Sequence, residues 1–120
     1  YESVFRVLEH TVAAHDRLGV VREREGNRLS NSAPLDNWRT RDGKWICIVA
    51  AGDRLFPRLA HAMERADLLE DERFSTLARR AQNGDAINAI VAEWVGRHTA
   101  AEVESRMLAA EVPVGRALDI

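Results

Sequence analysis

The spacing of apolar positions changes along this chain, and each change predicts an element. Over residues 1–18, Val4, Phe5, Val7, Leu8, Val12 and Leu18 recur at mixed intervals of three and four, a helical stripe that Gly19 ends. Residues 20–34 lose all periodicity and read as a polar connection. From Trp45 to Ala50 nearly every residue is apolar, which predicts a strand covered on both faces with Trp45 and Cys47 in the core. Asp42-Gly43 just before it predicts a tight primed turn, so residues 37–53 form a hairpin; Trp38, ahead of the turn, is left open.

Helical spacing then returns. Asp53 is expected to cap a helix reaching about residue 66, with Pro57 in its first turn and Phe56, Leu59, Ala60 and Met63 inward. Residues 67–74 are acidic and irregular, although Leu68, Leu69 and Phe74 must find cover, and a short helix is expected over 75–81. Asn83 is a candidate cap for a helix carrying Ile87, Ile90, Val91, Trp94 and Val95, closed by Arg97 and His98. Thr99 and Glu102 stand at capping-box spacing and open a last helix with Val103, Met107 and Leu108 inward. Residues 111–115 read as an exit into extended chain. The fold class is therefore α+β: a small sheet with a central hairpin covered by several helices.

With 120 residues, 46% of them apolar and 30% charged, the chain suits one globular domain. A formal net charge of −2 argues against a nucleic-acid partner, because neutralising phosphates takes clustered excess Lys and Arg. Lys44 is the only lysine, and the arginines are interleaved with acids. Cys47 stands alone, so no disulfide framework or cysteine metal site is expected, and a reduced, cytoplasmic setting follows. No apolar run approaches the ~20 residues of a membrane span. The chain opens at Tyr1 inside a helix pattern, which suggests a piece of a longer protein.

The chemistry-bearing residues are scattered. His10 and His15 lie five apart, about 140° around a helix of ~3.6 residues per turn, and cannot chelate together; His61 and His98 have no ligand-spaced partner, so no metal is expected. Ser30, Ser32 and Ser75 lack a nucleophile-elbow setting, and Cys47 reads as a core thiol. Glu70, Asp71 and Glu72 read as solvated charges with Arg80 as a pairing partner. In the polar connection, Gly26, Asn27, Ser30, Asn31 and Ser32 offer flexible backbone and neutral donors, without the glycine spacing of a phosphate cradle; from the residues alone it is a surface loop.

The order of several short elements resembles the family III CoA-transferases, the CaiB/BaiF group. These are Gly26-Asn27, Ala33-Pro34, the aromatic-x-Thr-x-Asp-Gly run from Trp38 to Gly43, Phe56 and Leu59, Asp71-Glu72-Arg73-Phe74, Arg80 and Asn83, then Trp94, Thr99, Glu102 and Leu108, and finally Ala110-Glu111-Val112-Pro113. The resemblance implies a piece excised from a larger two-domain subunit: residues 1–33 a helix and linker from the large domain, 34–112 the small α+β domain, and 113–120 an exit linker back. It implies an interlocked homodimer acting on an acyl-CoA and a carboxylic acid, with coenzyme A as substrate and no resident cofactor. A nucleophilic Asp would lie in the large domain, upstream of Tyr1, so no residue here is catalytic. Racemisation of a 2-methylacyl-CoA is the alternative within the group, and a non-enzymatic interaction or dimerisation module the alternative outside it. In some members a glycine-rich loop ahead of the small-domain sheet covers the active site; residues 26–33 correspond to it, with Gly26, Asn27, Arg28 and Asn31 as candidate substrate-binding residues.

Overall fold

A computed structural model describes residues 1–24 and 26–118; Glu25 in the polar connection, and Asp119 and Ile120 at the end of the exit segment, lie outside the described residues. The element order is α1 (Glu2–Leu18), β1 (Leu35–Arg39), β2 (Trp45–Val49), α2 (Leu55–Ala62), two single-turn 3-10 helices (Ala66–Leu69 and Glu72–Phe74), α3 (Leu77–Gln82), α4 (Gly84–Gly96), α5 (Ala100–Ala109) and β3 (Val114–Arg116). The three strands form one antiparallel sheet in the order β1-β2-β3, so the α+β expectation holds. Its third strand comes from residues read as an exit: Ile48 pairs with Val114 and Ile46 with Arg116.

The sheet is covered by helices on one face only. In β2, Ile46 and Ile48 are buried while Trp45 and Val49 are exposed and Cys47 is half-buried, an alternation that follows from the two-residue period of a strand. The expectation of a strand covered on both faces is thus overturned for the described residues, and with it the core placement of Trp45 and Cys47. Trp38 is the buried tryptophan. It stands opposite Ile46 on the covered face, and its indole N–H donates to the Asn88 carbonyl at 3.3 Å.

Against that face pack Leu59 and Met63 from the α2 region, Val91 and Val95 from α4, and Val103 and Met107 from α5. Each fully buried aliphatic chain of this kind contributes about 1.5–3 kcal/mol of burial free energy. A second cluster gathers Ala33, Phe56, Leu68, Phe74 and Ile87, which is how the irregular acidic stretch finds cover for Leu68 and Phe74. Leu108 turns outward instead of inward, since the α5 stripe is carried by Ala100, Val103 and Met107.

The hairpin turn is not the primed two-residue form. Arg41, Asp42 and Gly43 make a three-residue loop, with Gly43 at φ 76° as its left-handed residue, while Asp42 stays at negative φ. The Thr40 amide donates to the Lys44 carbonyl at 2.9 Å and the Gly43 amide to Thr40 at 2.9 Å. Asp42 has a different task. Its Oδ1 accepts the Thr40 hydroxyl at 2.6 Å and the Ala100 amide at 3.0 Å, which fastens the turn to the first residue of α5. Those two hydrogen bonds, the Thr40 hydroxyl first, hold the Asp42 carboxyl below the usual carboxylate range.

Thr99 and Glu102 form the expected capping box, with the Thr99 amide 2.7 Å from Glu102 Oε2 and the Glu102 amide 3.3 Å from Thr99 Oγ1. Asp53 and Asn83 do not cap as expected. Helix α2 begins after Arg54 and ends at Ala62, followed by Glu64 at positive φ, while Asp53 Oδ1 accepts instead from the Leu77 amide and from Arg80. Asn83 turns its amide nitrogen back to the Arg79 carbonyl at 2.9 Å, so it closes α3 and leaves α4 without a side-chain cap. Thr76 caps α3.

Arg80 is the most deeply placed charge. Its side chain is 2% exposed, and its fork donates to the Phe74 carbonyl, the Ala51 carbonyl and Asp53. Its expected partners in the acidic run are taken by others, Asp71 by Arg73 and Glu72 by Arg79. Helix α1 stands apart: none of its residues is buried, and Val4, Phe5, Val7, Leu8 and Val12 all face outward.

Candidate functional site

The loop of residues 26–33 runs over the start of α4 and leaves a cleft of about 520 Å³ between them. Arg28, Ser30 and Ser32 line it from the loop; Asn83, Gly84, Asp85 and Asn88 line it from the α3–α4 junction and α4. The loop is shaped locally by Gly26 at φ 69° and by the Ser32 amide donating to the Leu29 carbonyl at 3.1 Å, and it enters β1 through the cis Ala33–Pro34 peptide. Ala33 packs against the start of α4, and a Cβ built on Gly84 would sit 3.7 Å from the Ala33 methyl.

Arg28 holds the cleft together. Its Nε donates to Asp36 Oδ2 at 2.7 Å, and its Nη1 to Asp85 Oδ1 at 2.8 Å, so one guanidinium ties the loop to both β1 and α4. The hydrogen bond to Asp36 raises its already high pKa, with burial, the next largest effect, opposing it. The two carboxylates differ in setting. Asp36 is largely enclosed, its side chain 16% exposed, whereas that of Asp85 is 98% exposed.

Asn88 supplies the unusual feature. It lies on α4 between Ile87 and Val91, 3% exposed, and its Oδ1 has no hydrogen-bond partner among the described residues. Asn88 adjoins the cleft near the uncapped first turn of α4, but its Oδ1 is closed to solvent. A buried amide oxygen without a donor costs about 1–3 kcal/mol.

Of the four candidate binding residues, the structure brings only Arg28 into the cleft wall. Gly26 and Asn27 are exposed in the turn ahead of it, and Asn31 is exposed and accepts only from its neighbour, the Ser32 hydroxyl, at 3.4 Å. The α4 half of the cleft was missed by the sequence reading. Its signal was a polar Asn88 on a face otherwise made of Ile87, Val91 and Val95.

No group of three His, Cys, Asp or Glu among the described residues gathers to hold a metal ion. His98 has a structural place at the end of α4, its Nδ1 2.7 Å from the Trp94 carbonyl and its ring 4.3 Å from the Trp94 ring. No helix is long and apolar enough to cross a membrane among the described residues.

The family model described as CoA-transferase family III matches residues 1–120. A succinyl-CoA–L-malate CoA-transferase alpha subunit from Chloroflexus aurantiacus is 43% identical over 115 residues, covering 96% of this chain and 27% of the relative. A succinyl-CoA–D-citramalate CoA-transferase from the same species is 36% identical, covering 97% of this chain and 29% of the relative. Among solved structures, a CAIB/BAIF family protein from Brucella suis superposes with a TM-score of 0.76 at 25% identity, over 95% of this chain and 30% of that one. The chain thus spans less than a third of the length of the proteins that it matches.

Proposed function

Because the chain belongs to CoA-transferase family III, we propose that it is the small-domain portion of an enzyme that moves coenzyme A between an acyl-CoA and a carboxylic acid. The match to the succinyl-CoA–L-malate transferase subunit over 96% of the chain carries this reading. It favours succinyl-CoA as donor and a hydroxylated four- or five-carbon dicarboxylic acid as acceptor, over racemisation of a 2-methylacyl-CoA. In this reading residues 1–33 are a helix and linker of the large domain, 34–112 the small domain and 113–120 the return, although Val114–Arg116 also serve the sheet. The open apolar stripe of α1 accords with that assignment, since it needs cover from elsewhere in a longer subunit. An interlocked homodimer completes the proposal.

The reaction needs a carboxylate nucleophile. An enzyme carboxylate attacks the thioester carbonyl and expels CoA thiolate, forming an acyl anhydride. The thiolate then attacks the enzyme's acyl carbon of the anhydride, releasing the donor acid and leaving an enzyme thioester; the acceptor carboxylate completes the exchange by the same two steps in reverse. Overall one thioester is exchanged for another of similar energy through higher-energy anhydrides, so the chemistry turns on placing carboxylates. The nucleophile belongs to the large domain in this reading, and residues 26–33 face the substrate. The full-length protein, given succinyl-CoA and L-malate, is expected to form malyl-CoA with release of succinate, read by chromatography of the CoA esters. The 120-residue chain alone is expected to form none. Turnover by the chain alone, or no CoA exchange by the full-length protein with any dicarboxylic acid, overturns the reading.

A further inference from the structure

We infer that the uncovered face of the sheet is a docking surface for another part of the same polypeptide, one that receives the Trp45 indole in an apolar pocket and presents a carboxylate to Arg39. This rests on the reading above that the chain is one portion of a larger subunit. It goes beyond that reading by naming the surface through which this portion meets the rest, and the residues that recognise it.

The face has the wrong chemistry for water. The register sets Leu35 opposite Val49, Asn37 opposite Cys47 and Arg39 opposite Trp45, and the two-residue period of a strand turns all six away from the helix-covered side that holds Trp38, Ile46 and Ile48. An antiparallel sheet with a solvated face carries polar residues there. On this one only Asn37 and Arg39 are polar, while Val49 is exposed and Trp45 is 51% exposed. Cys47 lies half-buried between those two, and its partner on β3 is Gly115, where an added Cβ would meet nothing within 4 Å. The third strand therefore offers bare backbone beside Cys47, a shallow seat next to the indole. Arg39 makes no ion pair among the described residues, so its guanidinium is available to a carboxylate brought up beside Trp45. Tryptophan and arginine are the residue types that most often carry the energy of an interface.

Size decides the occupant. Three strands about 4.8 Å apart, with five residues of about 3.4 Å each, make a face of about 240 Å². Two free proteins that associate stably bury about 800 Å² each, far more than this face offers. Packing between two parts of one chain starts at about 300 Å² a side, because the tether holds the partner at an effective concentration near the millimolar range. The chain spans less than a third of the length of the proteins that it matches, so in those proteins a body more than twice its size is available to cover the face. Helix α1 is not that cover in this structure, since none of its residues is buried.

The test uses the full-length protein, and its first reading needs no variant. Tryptic cleavage after Lys44 and Arg54 isolates Cys47 in one peptide, so its alkylation by N-ethylmaleimide is followed by mass spectrometry. Cys47 is expected to react at least about 100-fold more slowly in the native protein than in urea, because access requires the two parts to separate. Trp45→Glu, a change at an exposed position outside the core, puts a carboxylate in the apolar seat and is expected to speed that reaction about tenfold or more. p-Benzoylphenylalanine in place of Trp45, irradiated, is expected to give a cross-linked product of single-chain mass, joined to a peptide outside these 120 residues. A Cys47 that reacts within about tenfold of its rate in urea, or that does not respond to Trp45→Glu, overturns the proposal. So does a cross-linked product of doubled mass, which assigns the face to a second copy, or a cross-link to residues 1–18, which assigns it to α1. If the face proves covered in a protein that exchanges no CoA, the transferase reading falls and the docking surface stands; if CoA exchange is robust and Cys47 is open, the surface falls alone.

Discussion

Replacing Arg80 with methionine tests how the body of the fold is tied together. Arg80 leaves α3 and reaches Phe74, at the end of the second 3-10 helix, and Ala51, just after β2, donating to each carbonyl at 2.8 Å; a third bond goes to Asp53 at 2.6 Å. Its guanidinium also lies 4.5 Å from the centre of the Phe56 ring. One side chain thus ties α3 to the 3-10 turn just before it and to the Ala51–Asp53 segment, 27 to 29 residues away. Methionine keeps much of the volume and removes every donor, leaving two backbone carbonyls without it. Hydrogen bonds from a charged donor contribute about 1.5–3 kcal/mol each, and breaking a buried charge arrangement costs about 3–5 kcal/mol. The Asp53 carboxylate adds less, because it is 67% exposed and its attraction is screened by water.

The expected loss for Arg80→Met is therefore about 3–5 kcal/mol, a large part of the ~5–15 kcal/mol that holds a domain folded. In thermal unfolding followed by circular dichroism, that corresponds to a midpoint lower by roughly 12–40 °C. Arg80→Lys is expected to recover little, since one ammonium cannot donate in the three directions that the planar fork serves. Asp53→Asn separates the contributions: if the two carbonyls dominate, Arg80→Met and the double variant unfold at nearly the same midpoint. A loss below about 1 kcal/mol for Arg80→Met, the scale of an ordinary surface change, refutes the reasoning. So does a double variant that is clearly more stable than Arg80→Met, because the carboxylate would then have been the main partner.

Acidification is expected to destabilise the fold. Asp42, Asp53, Asp67, Asp71 and Glu102 all have carboxyls held below their usual range, led respectively by hydrogen bonds from Thr40, Arg80, Arg65, Arg73 and the Thr99 amide. A carboxyl depressed in the folded state binds fewer protons there than in the unfolded chain, so its contribution is present above the ordinary carboxylate pKa of about 4 and is lost as pH falls through the folded value. Urea midpoints from pH 7 to pH 2 should fall on the acid side, and Asp42→Asn should flatten that fall; midpoints that rise on acidification contradict it. Gly43→Ala is expected to cost about 1–2 kcal/mol from its left-handed backbone alone, since the added Cβ meets nothing closer than Arg39 at 3.7 Å; an unchanged urea midpoint counts against that turn geometry. Removing residues 1–24 is expected to move the thermal midpoint by less than about 4 °C, because α1 buries no residue, and a larger drop would show that the helix supports the body after all.

Periodicity made the helices legible, and the reasons it failed elsewhere are specific. The α4 and α5 stripes and the Thr99–Glu102 capping box were readable because local spacing alone determines them. The strand Trp45–Val49 was misjudged because a run of apolar residues looks the same whether one face or both are covered; only the tertiary fact that every helix packed on the sheet lies on the Ile46–Ile48 side turns Trp45 outward. Asp42-Gly43 marked the hairpin correctly, yet its Asp serves α5, 58 residues away, and no turn statistic contains that partner. Asp53 failed as a cap for the same reason, since Arg80 and the Leu77 amide take its carboxylate from across the fold.

The candidate site follows this rule. Loop composition drew notice to Gly26, Asn27, Arg28 and Asn31, but composition does not say which side chains of a loop face inward, and only Arg28 does. Its two carboxylate partners and the unpaired Asn88 come from elements 8 to 60 residues further on, as the 2.7 and 2.8 Å contacts to Asp36 and Asp85 show. A polar residue interrupting an apolar helical face was the trace of the α4 half of the cleft in the sequence. In this fold the Trp38 indole N–H donates to the Asn88 backbone carbonyl and ties α4 to β1, while the closed-in side-chain oxygen meets no donor among the described residues and costs about 1–3 kcal/mol.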